Sequence, residues 1–306
     1  MNNETVLKLS RITKTYGKVV AVDDVNMTIK KGDIYGLIGK NGAGKTTLLR
    51  LVSSLAFADS GEIELFNETT EKGLQDARTR MGCVIEMPAL YPNLSAVQNL
   101  EYYQRVKGIP NKSIINETLK LVGLTNTGKK KFKDFSLGMK QRLGIALALL
   151  NNPDFIILDE PTNGLDPAGI VEMREFLKKL NQERQITILV SSHLLTELSL
   201  VATRYGIIDQ GKLIKELTND ELKEECKQSL VITVDDTSKA TSILETVLGV
   251  KKFKVVSDSE IRIYDLIDDA SEVNHQLVSN GVRVLNMAEV GDSLEDYFMS
   301  LIQEGK

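Results

Sequence analysis

The residues best equipped for chemistry lie in Gly39-Lys40-Asn41-Gly42-Ala43-Gly44-Lys45-Thr46-Thr47. Their spacing fits G-x-x-x-x-G-K-[ST], and the chemistry that spacing serves is phosphate binding. Glycines let successive backbone N–H groups turn inward around phosphate oxygens. Lys45 adds a full positive charge for the outer phosphates, and Thr46 offers a hydroxyl to Mg²⁺. A second reactive group is the acidic pair Asp159-Glu160, which ends the apolar run Phe155-Ile156-Ile157-Leu158. An aspartate there can hold Mg²⁺ near Thr46, and the next carboxylate can polarise an attacking water as general base. On its own such a pair also fits a solvent-facing strand end. A third group is His193, which follows the apolar run Ile186–Val190 and Ser191-Ser192. In isolation it reads as a satisfied polar residue.

These groups need strands to carry them. Residues 33–38 read as a buried strand before the glycine loop, and residues 48–52 as the helix after it. A strand, a glycine loop and a helix N-terminus together make an anion site. Continuous apolar runs at Phe155–Leu158 and Ile186–Val190 are expected of strands buried on both faces. Strands alternating with helices imply a mainly parallel α/β sheet. Before the loop, residues 6–13 and 19–29 read as strands, as do residues 62–66 after it. Residues 96–121 are mostly helical in spacing, interrupted at Gly108-Ile109-Pro110. Ser136 is a favoured N-cap for a helix running through Leu150. Helix is also read at residues 172–180, and a hairpin around Gln210-Gly211. The texture becomes charged over residues 217–227, read as a linker. Beyond it the order βαββαβ, with a terminal helix, suggests a ferredoxin-like domain.

The chain has 306 residues, 42% of them hydrophobic, which suffices for one large domain and a small one. Its formal net charge of -4 lacks the basic excess of a nucleic-acid binder. Its polar, acidic start does not read as a signal peptide, and no apolar run approaches the ~18 residues of a membrane span. Cys83 and Cys226 are far apart and lack metal-ligand spacing, as expected of reduced thiols in the cytosol. Lys129-Lys130-Lys131 and Lys133 form a basic run. It reads as solvated surface, with contact to anionic headgroups as the alternative.

Phe135-Ser136-Leu137-Gly138-Met139 followed by Lys140-Gln141-Arg142 resembles the signature motif of ATP-binding-cassette (ABC) ATPases. Asn152-Pro153, Phe155 to Thr162 and Gly164-Leu165-Asp166-Pro167 match that family's Walker B segment and D-loop. His193 matches its switch histidine, and Tyr16 the aromatic that stacks on adenine. The resemblance covers residues 4 to about 216. It implies a P-loop NTPase fold with an antiparallel β subdomain (cassette residues 1–216) and an inserted helical subdomain at about 87–152. Residues 228–306 would be the accessory α+β domain. It also implies a head-to-tail homodimer. Each MgATP would lie between the glycine loop of one copy (Gly39, Asn41, Gly42, Ala43, Gly44, Lys45, Thr46, Thr47) and Ser136, Gly138 and Asp166 of the other. Glu160 and His193 would be catalytic, with Thr46, Asp159 and Glu86 at the metal.

Glu86 stands where most of the family has glutamine, which would add negative charge near the metal. Phe135, Leu137 and Met139 replace Leu, Gly and Gln of the signature, a change expected to bear on turnover. Glu86, the run Pro88-Ala89-Leu90-Tyr91-Pro92-Asn93-Leu94 and the terminal Ser293-Leu294-Glu295-Asp296-Tyr297-Phe298 are similar to ATPase subunits of bacitracin-resistance and lantibiotic-immunity exporters. The expectation is an ATPase at the cytoplasmic face of a bacterial membrane. It would drive a separate integral-membrane permease that exports an antimicrobial peptide. The alternatives are an exporter of lipid or polysaccharide, and a soluble ABC ATPase outside transport.

Overall fold

The computed structural model describes residues 4–86, 90–111, 113–226, 229–266, 269–290 and 294–304. Pro88, Ala89 and Ser293, part of the exporter-like runs noted above, lie outside them. The chain forms two compact units, dividing after Asn219.

The first unit opens with β1 (Thr5–Tyr16) and β2 (Val19–Lys30), an antiparallel hairpin turned at Gly17. Then come β3 (Ile34–Ile38), α1 (Lys45–Val52), β4 (Ser60–Leu65), α2 (Glu71–Arg78) and β5 (Met81–Val84). Three helices follow: α3 (Ala96–Val106), α4 (Ser113–Leu121) and α5 (Leu137–Leu149). The unit is completed by β6 (Phe155–Leu158), α6 (Pro167–Arg184), β7 (Thr187–Ser192), α7 (Leu195–Ser199), β8 (Arg204–Asp209) and β9 (Lys212–Thr218).

Strand order β2-β1-β4 makes a small antiparallel sheet, and β5-β6-β7-β3-β8-β9 a larger one that is parallel up to β8. Every residue of β3, β6 and β7 is buried, as expected from apolar strands; in β7 the run Ile188-Leu189-Val190 is followed by the buried hydroxyls of Ser191 and Ser192. One apolar cluster joins the two sheets around α1. Leu48, Leu49, Leu51 and Val52 pack with Leu7, Leu9 and Met27 on one side, and with Leu37, Phe155, Ile157 and Leu189 on the other. In a parallel sheet the chemistry gathers outside the carboxyl ends of the strands. The order β6-β7-β3 therefore brings the ends of Phe155–Leu158, Thr187–Ser192 and Ile34–Ile38 side by side.

Two differences from the sequence expectations have simple causes. Helix α2 was not expected, because its eight residues are mostly polar and only Leu74 and Ala77 turn toward the core; Thr70 starts it by accepting from Gly73 N. Helix α6 begins at Pro167 and runs to Arg184, beyond the expected 172–180. Asp166 caps it through Gly169 N, and proline suits the first helical position because no N–H is needed there.

The stretch 217–227, expected to be a linker, carries α8 (Asn219–Glu225). In the second unit β10 (Ser229–Val234), α9 (Thr237–Thr246), β11 (Phe253–Val255), β12 (Glu260–Ile263), α10 (Ala270–Ser279) and β13 (Val284–Val290) precede α11 (Leu294–Glu304). Its antiparallel sheet has the order β11-β12-β10-β13. Leu230, Ile232, Ile261 and Ile263 pack with Leu244, Val273 and Leu277 of the helices.

Tyr35 is fully buried in β3, and its hydroxyl donates to Glu216 Oε1 at 2.7 Å. Burial, with that carboxylate beside it, holds the phenol well above its ordinary range. Gly206 of the neighbouring β8 leaves the ring its space, since a Cβ there would collide with the Tyr35 hydroxyl. Gly206→Ala should therefore cost about 1–3 kcal/mol of stability, the usual range for overpacking, read as a lower urea midpoint. An unchanged midpoint would show that the ring can yield.

Candidate functional site

The glycine loop connects β3 to α1. Gly42 and Gly44 hold φ of 83° and 109°, in the left-handed region open to glycine. A Cβ at Gly44 would sit 2.5 Å from Ala21 O, whereas one at Gly42 would meet nothing within 4 Å. The loop is thus pressed against β2 at one glycine and open to solvent at the other. No side chain caps α1, so the N–H groups of its first turn are left for an anion.

Lys45 is only 5% exposed. Its ammonium donates to Gly39 O at 2.6 Å and Lys40 O at 3.2 Å, and lies 3.2 Å from Glu160 Oε1. Thr46 Oγ1 donates to Asp159 Oδ2 at 2.8 Å. Asp159 Oδ1 accepts from Ser191 Oγ at 2.6 Å, and that hydroxyl also accepts from Glu160 N at 2.9 Å. His193 Nδ1 lies 3.2 Å from Glu160 Oε2. Glu160 thus stands between Lys45 and His193, on a backbone with φ of 46° that non-glycine residues seldom adopt.

A pocket of about 530 Å³ opens over this cluster. It is lined by the loop residues Asn41 to Thr47, less Ala43, by Glu160, and by two walls the sequence reading missed. One wall is Val19, Val20 and Ala21 of β2; the other is the turn Gln210-Gly211. Backbone bonds bring the walls together: Gly211 N donates to Ala43 O at 2.9 Å, and Asp23 N to Gly211 O at 2.8 Å. Tyr16 is not in the lining. It is 48% exposed, beside the ammonium of Lys14, and pairs across the hairpin with Val19, which is in the lining. Gly39 and Ala43 shape the loop from behind, Gly39 by the carbonyl that holds Lys45.

Ser136, Gly138 and Asp166 line a different hollow of about 480 Å³, with Leu137, Met139, Gly164 and Leu165. Ser136 caps α5, accepting from Met139 N at 3.4 Å. A single chain therefore carries two separate hollows, one at the glycine loop and one at the head of α5. Glu86 belongs to neither lining; its carboxylate is ion-paired with Arg50 of α1, four residues beyond Thr46. That pairing ties the end of β5 to α1, and the pair is largely exposed.

The donor set around Thr46 suits Mg²⁺, which is held by one or two carboxylates together with substrate phosphates rather than by an all-protein cage. Among the described residues no cluster of His, Cys, Asp or Glu could form such a cage.

The chain belongs to the ABC transporter family of ATP-binding subunits. The ABC transporter domain matches residues 22–163. The chain is 44% identical over 301 residues to the bacitracin transport ATP-binding protein BcrA of Bacillus licheniformis, covering 98% of each. It is 46% identical over 215 residues to the lantibiotic transport ATP-binding protein SrtF of Streptococcus pyogenes, covering 70% of this chain and 92% of that one. A solved ATP-binding cassette, dimeric in a post-hydrolysis state with ADP and Pi, superposes with a TM-score of 0.63. It is 30% identical and covers 70% of this chain and 99% of that one. Part of an ABC transporter complex from Clostridium perfringens, cbiO1, gives 0.66 at 26% identity, covering 81% and 97%. The fold is that of an ABC ATPase, and the protein binds and hydrolyses ATP to drive a transporter. No helix among the described residues is long and apolar enough to cross a membrane.

Gly44→Ala should abolish ATP binding, measured with a fluorescent ATP analogue, while Gly42→Ala should weaken it less. Equal affinity of Gly44→Ala and the native chain would show that the loop tolerates a displaced β2.

Proposed function

We propose that this subunit hydrolyses MgATP as a head-to-tail homodimer and energises the export of bacitracin- or lantibiotic-type peptides through a separate permease. The observation that carries the enzymatic reading is the convergence of Lys45, Thr46 and Glu160 on one pocket, with Asp159 at the end of β6 bonded to Thr46. Similarity to the bacitracin transport protein over nearly the whole of both chains carries the cargo.

In this reading the nucleoside lies between Val19–Ala21 and Gln210-Gly211, beside Tyr16. The triphosphate lies along Asn41–Thr47, where α1 presents its N-terminus and Lys45 its charge. Thr46 and Asp159 would hold Mg²⁺, which when bound neutralises charge on the phosphate oxygens. Glu160 accepts a proton from the attacking water, and His193 steadies the carboxylate at 3.2 Å. Most of the rate comes from positioning and charge stabilisation. The second copy supplies Ser136 and Gly138 at the head of α5, with Asp166 at the head of α6, closing the pocket against water. Leu137 is 37% exposed at that head, so an apolar side chain meets the partner where the family has glycine.

The subunit would sit at the cytoplasmic face of the cell membrane through its permease. The second unit, with its βαββαβ order, is read as a ferredoxin-like accessory domain.

Disrupting the gene in its host should raise sensitivity to bacitracin or a lantibiotic. The native gene should restore resistance and Glu160→Gln should not, with ATPase activity down by about 10²–10⁴-fold, as for loss of a general base. Unchanged drug sensitivity would remove the cargo assignment, and brisk hydrolysis by Glu160→Gln would remove the role of that carboxylate.

A further inference from the structure

We infer that Ser191 is a positioning residue for hydrolysis: its hydroxyl fixes the Asp159 carboxylate and the Glu160 amide together, and so sets how firmly the chain holds a divalent cation beside the nucleotide. This rests on the proposed reading of Asp159 as a metal ligand.

Ser191 lies in β7 with no exposed surface. The parallel register pairs Leu158 of β6 with Val190, which leaves Ser191 beside Asp159, one residue past the pairing. A hydroxyl has one donor and two acceptor sites. Ser191 spends the donor on Asp159 Oδ1 at 2.6 Å, the short length of a bond to an ionised acceptor. It uses an acceptor site for Glu160 N at 2.9 Å.

Asp159 Oδ2 faces Thr46 Oγ1 at 2.8 Å. The carboxylate is therefore held edge to edge by two hydroxyls, one from β7 and one from α1. Its plane cannot rotate without breaking one of them. The amide of Glu160 needs a partner for a second reason, because φ of 46° turns this residue sharply out of the strand direction. The bond from Glu160 N to Ser191 keeps that turn, and with it the carboxylate set between Lys45 and His193.

The neighbouring hydroxyl has another task. Ser192 Oγ accepts from Leu194 N at 3.0 Å and so shapes the turn that carries His193. An ordinary buried serine would be content with a nearby carbonyl, whereas Ser191 bridges the two acidic residues that the reaction uses. Groups that orient a metal ligand from behind commonly change metal affinity or activity by about 10–100-fold when removed.

The test uses the full chain and three proteins: native, Ser191→Ala, and Asp159→Asn as reference. Mn²⁺ is titrated into protein saturated with ADP, with free Mn²⁺ read by electron paramagnetic resonance. ADP binding in EDTA and steady-state ATPase kinetics are measured alongside. Ser191→Ala should weaken Mn²⁺ binding and lower kcat by about tenfold each, with KM and metal-free ADP affinity within about twofold of native. If Asp159→Asn weakens Mn²⁺ binding and Ser191→Ala leaves both Mn²⁺ binding and kcat as in the native chain, the positioning role is wrong while the metal reading stands. If Ser191→Ala loses metal-free ADP affinity in the same proportion as Mn²⁺ affinity, its role is general packing and the inference is overturned. If Asp159→Asn leaves Mn²⁺ binding unchanged, the metal reading fails and takes this inference with it.

Discussion

The structure turns on a buried ammonium. Lys45 is almost wholly out of water, and a charge so placed is costly unless it is paired and hydrogen-bonded. Two loop carbonyls and the Glu160 carboxylate satisfy it. The glycine loop curls back to aim the Gly39 and Lys40 carbonyls at the ammonium, and Glu160 comes within reach because β6 runs beside β7, which in turn pairs with β3. The order of the central sheet is thereby tied to the placement of one side chain. In the proposed reading an incoming phosphate takes the place of the carboxylate at the ammonium, which leaves Glu160 free to face water.

The separation of the two hollows is the second constraint. Signature helix α5 and the head of α6 bound one hollow, and the glycine loop bounds the other. Each lacks what the other has: the loop hollow holds charge for phosphates but is open above, and the signature hollow holds two capped helix starts without a cation comparable to Lys45 in its lining beyond Arg142. Arg142 is itself ion-paired with Glu172. In the proposed dimer the two complete each other, and ATP acts as the adhesive between copies.

Much of this was legible in the sequence because the decisive residues are neighbours there. Lys45 and Thr46 announce themselves by spacing, and Asp159-Glu160 by ending an apolar run. What was not legible depends on contacts between distant segments. The Val19–Ala21 and Gln210-Gly211 walls meet at the pocket through bonds to Ala43 and Asp23, which no local pattern records. Ser191 looked like part of a strand end leading to His193, and its tie to Asp159 exists only through the β6–β7 register. Glu86 was read from its place in a motif, and its ion pair with Arg50 of α1 joins segments that are distant in the sequence. Helix α2 escaped because it is short and mostly polar, with only Leu74 and Ala77 to mark its apolar side.

The central claim is that nucleotide joins two copies through these complementary hollows. Light scattering of the Glu160→Gln chain with ATP tests it most directly. The account predicts a mass twice the 33.9 kDa of one chain when ATP is present. It predicts return to the single-chain mass on adding Ser136→Arg, which blocks the signature hollow yet leaves the glycine loop able to bind ATP. A mass that stays at one chain with ATP bound, or a doubled mass indifferent to Ser136→Arg, would contradict it.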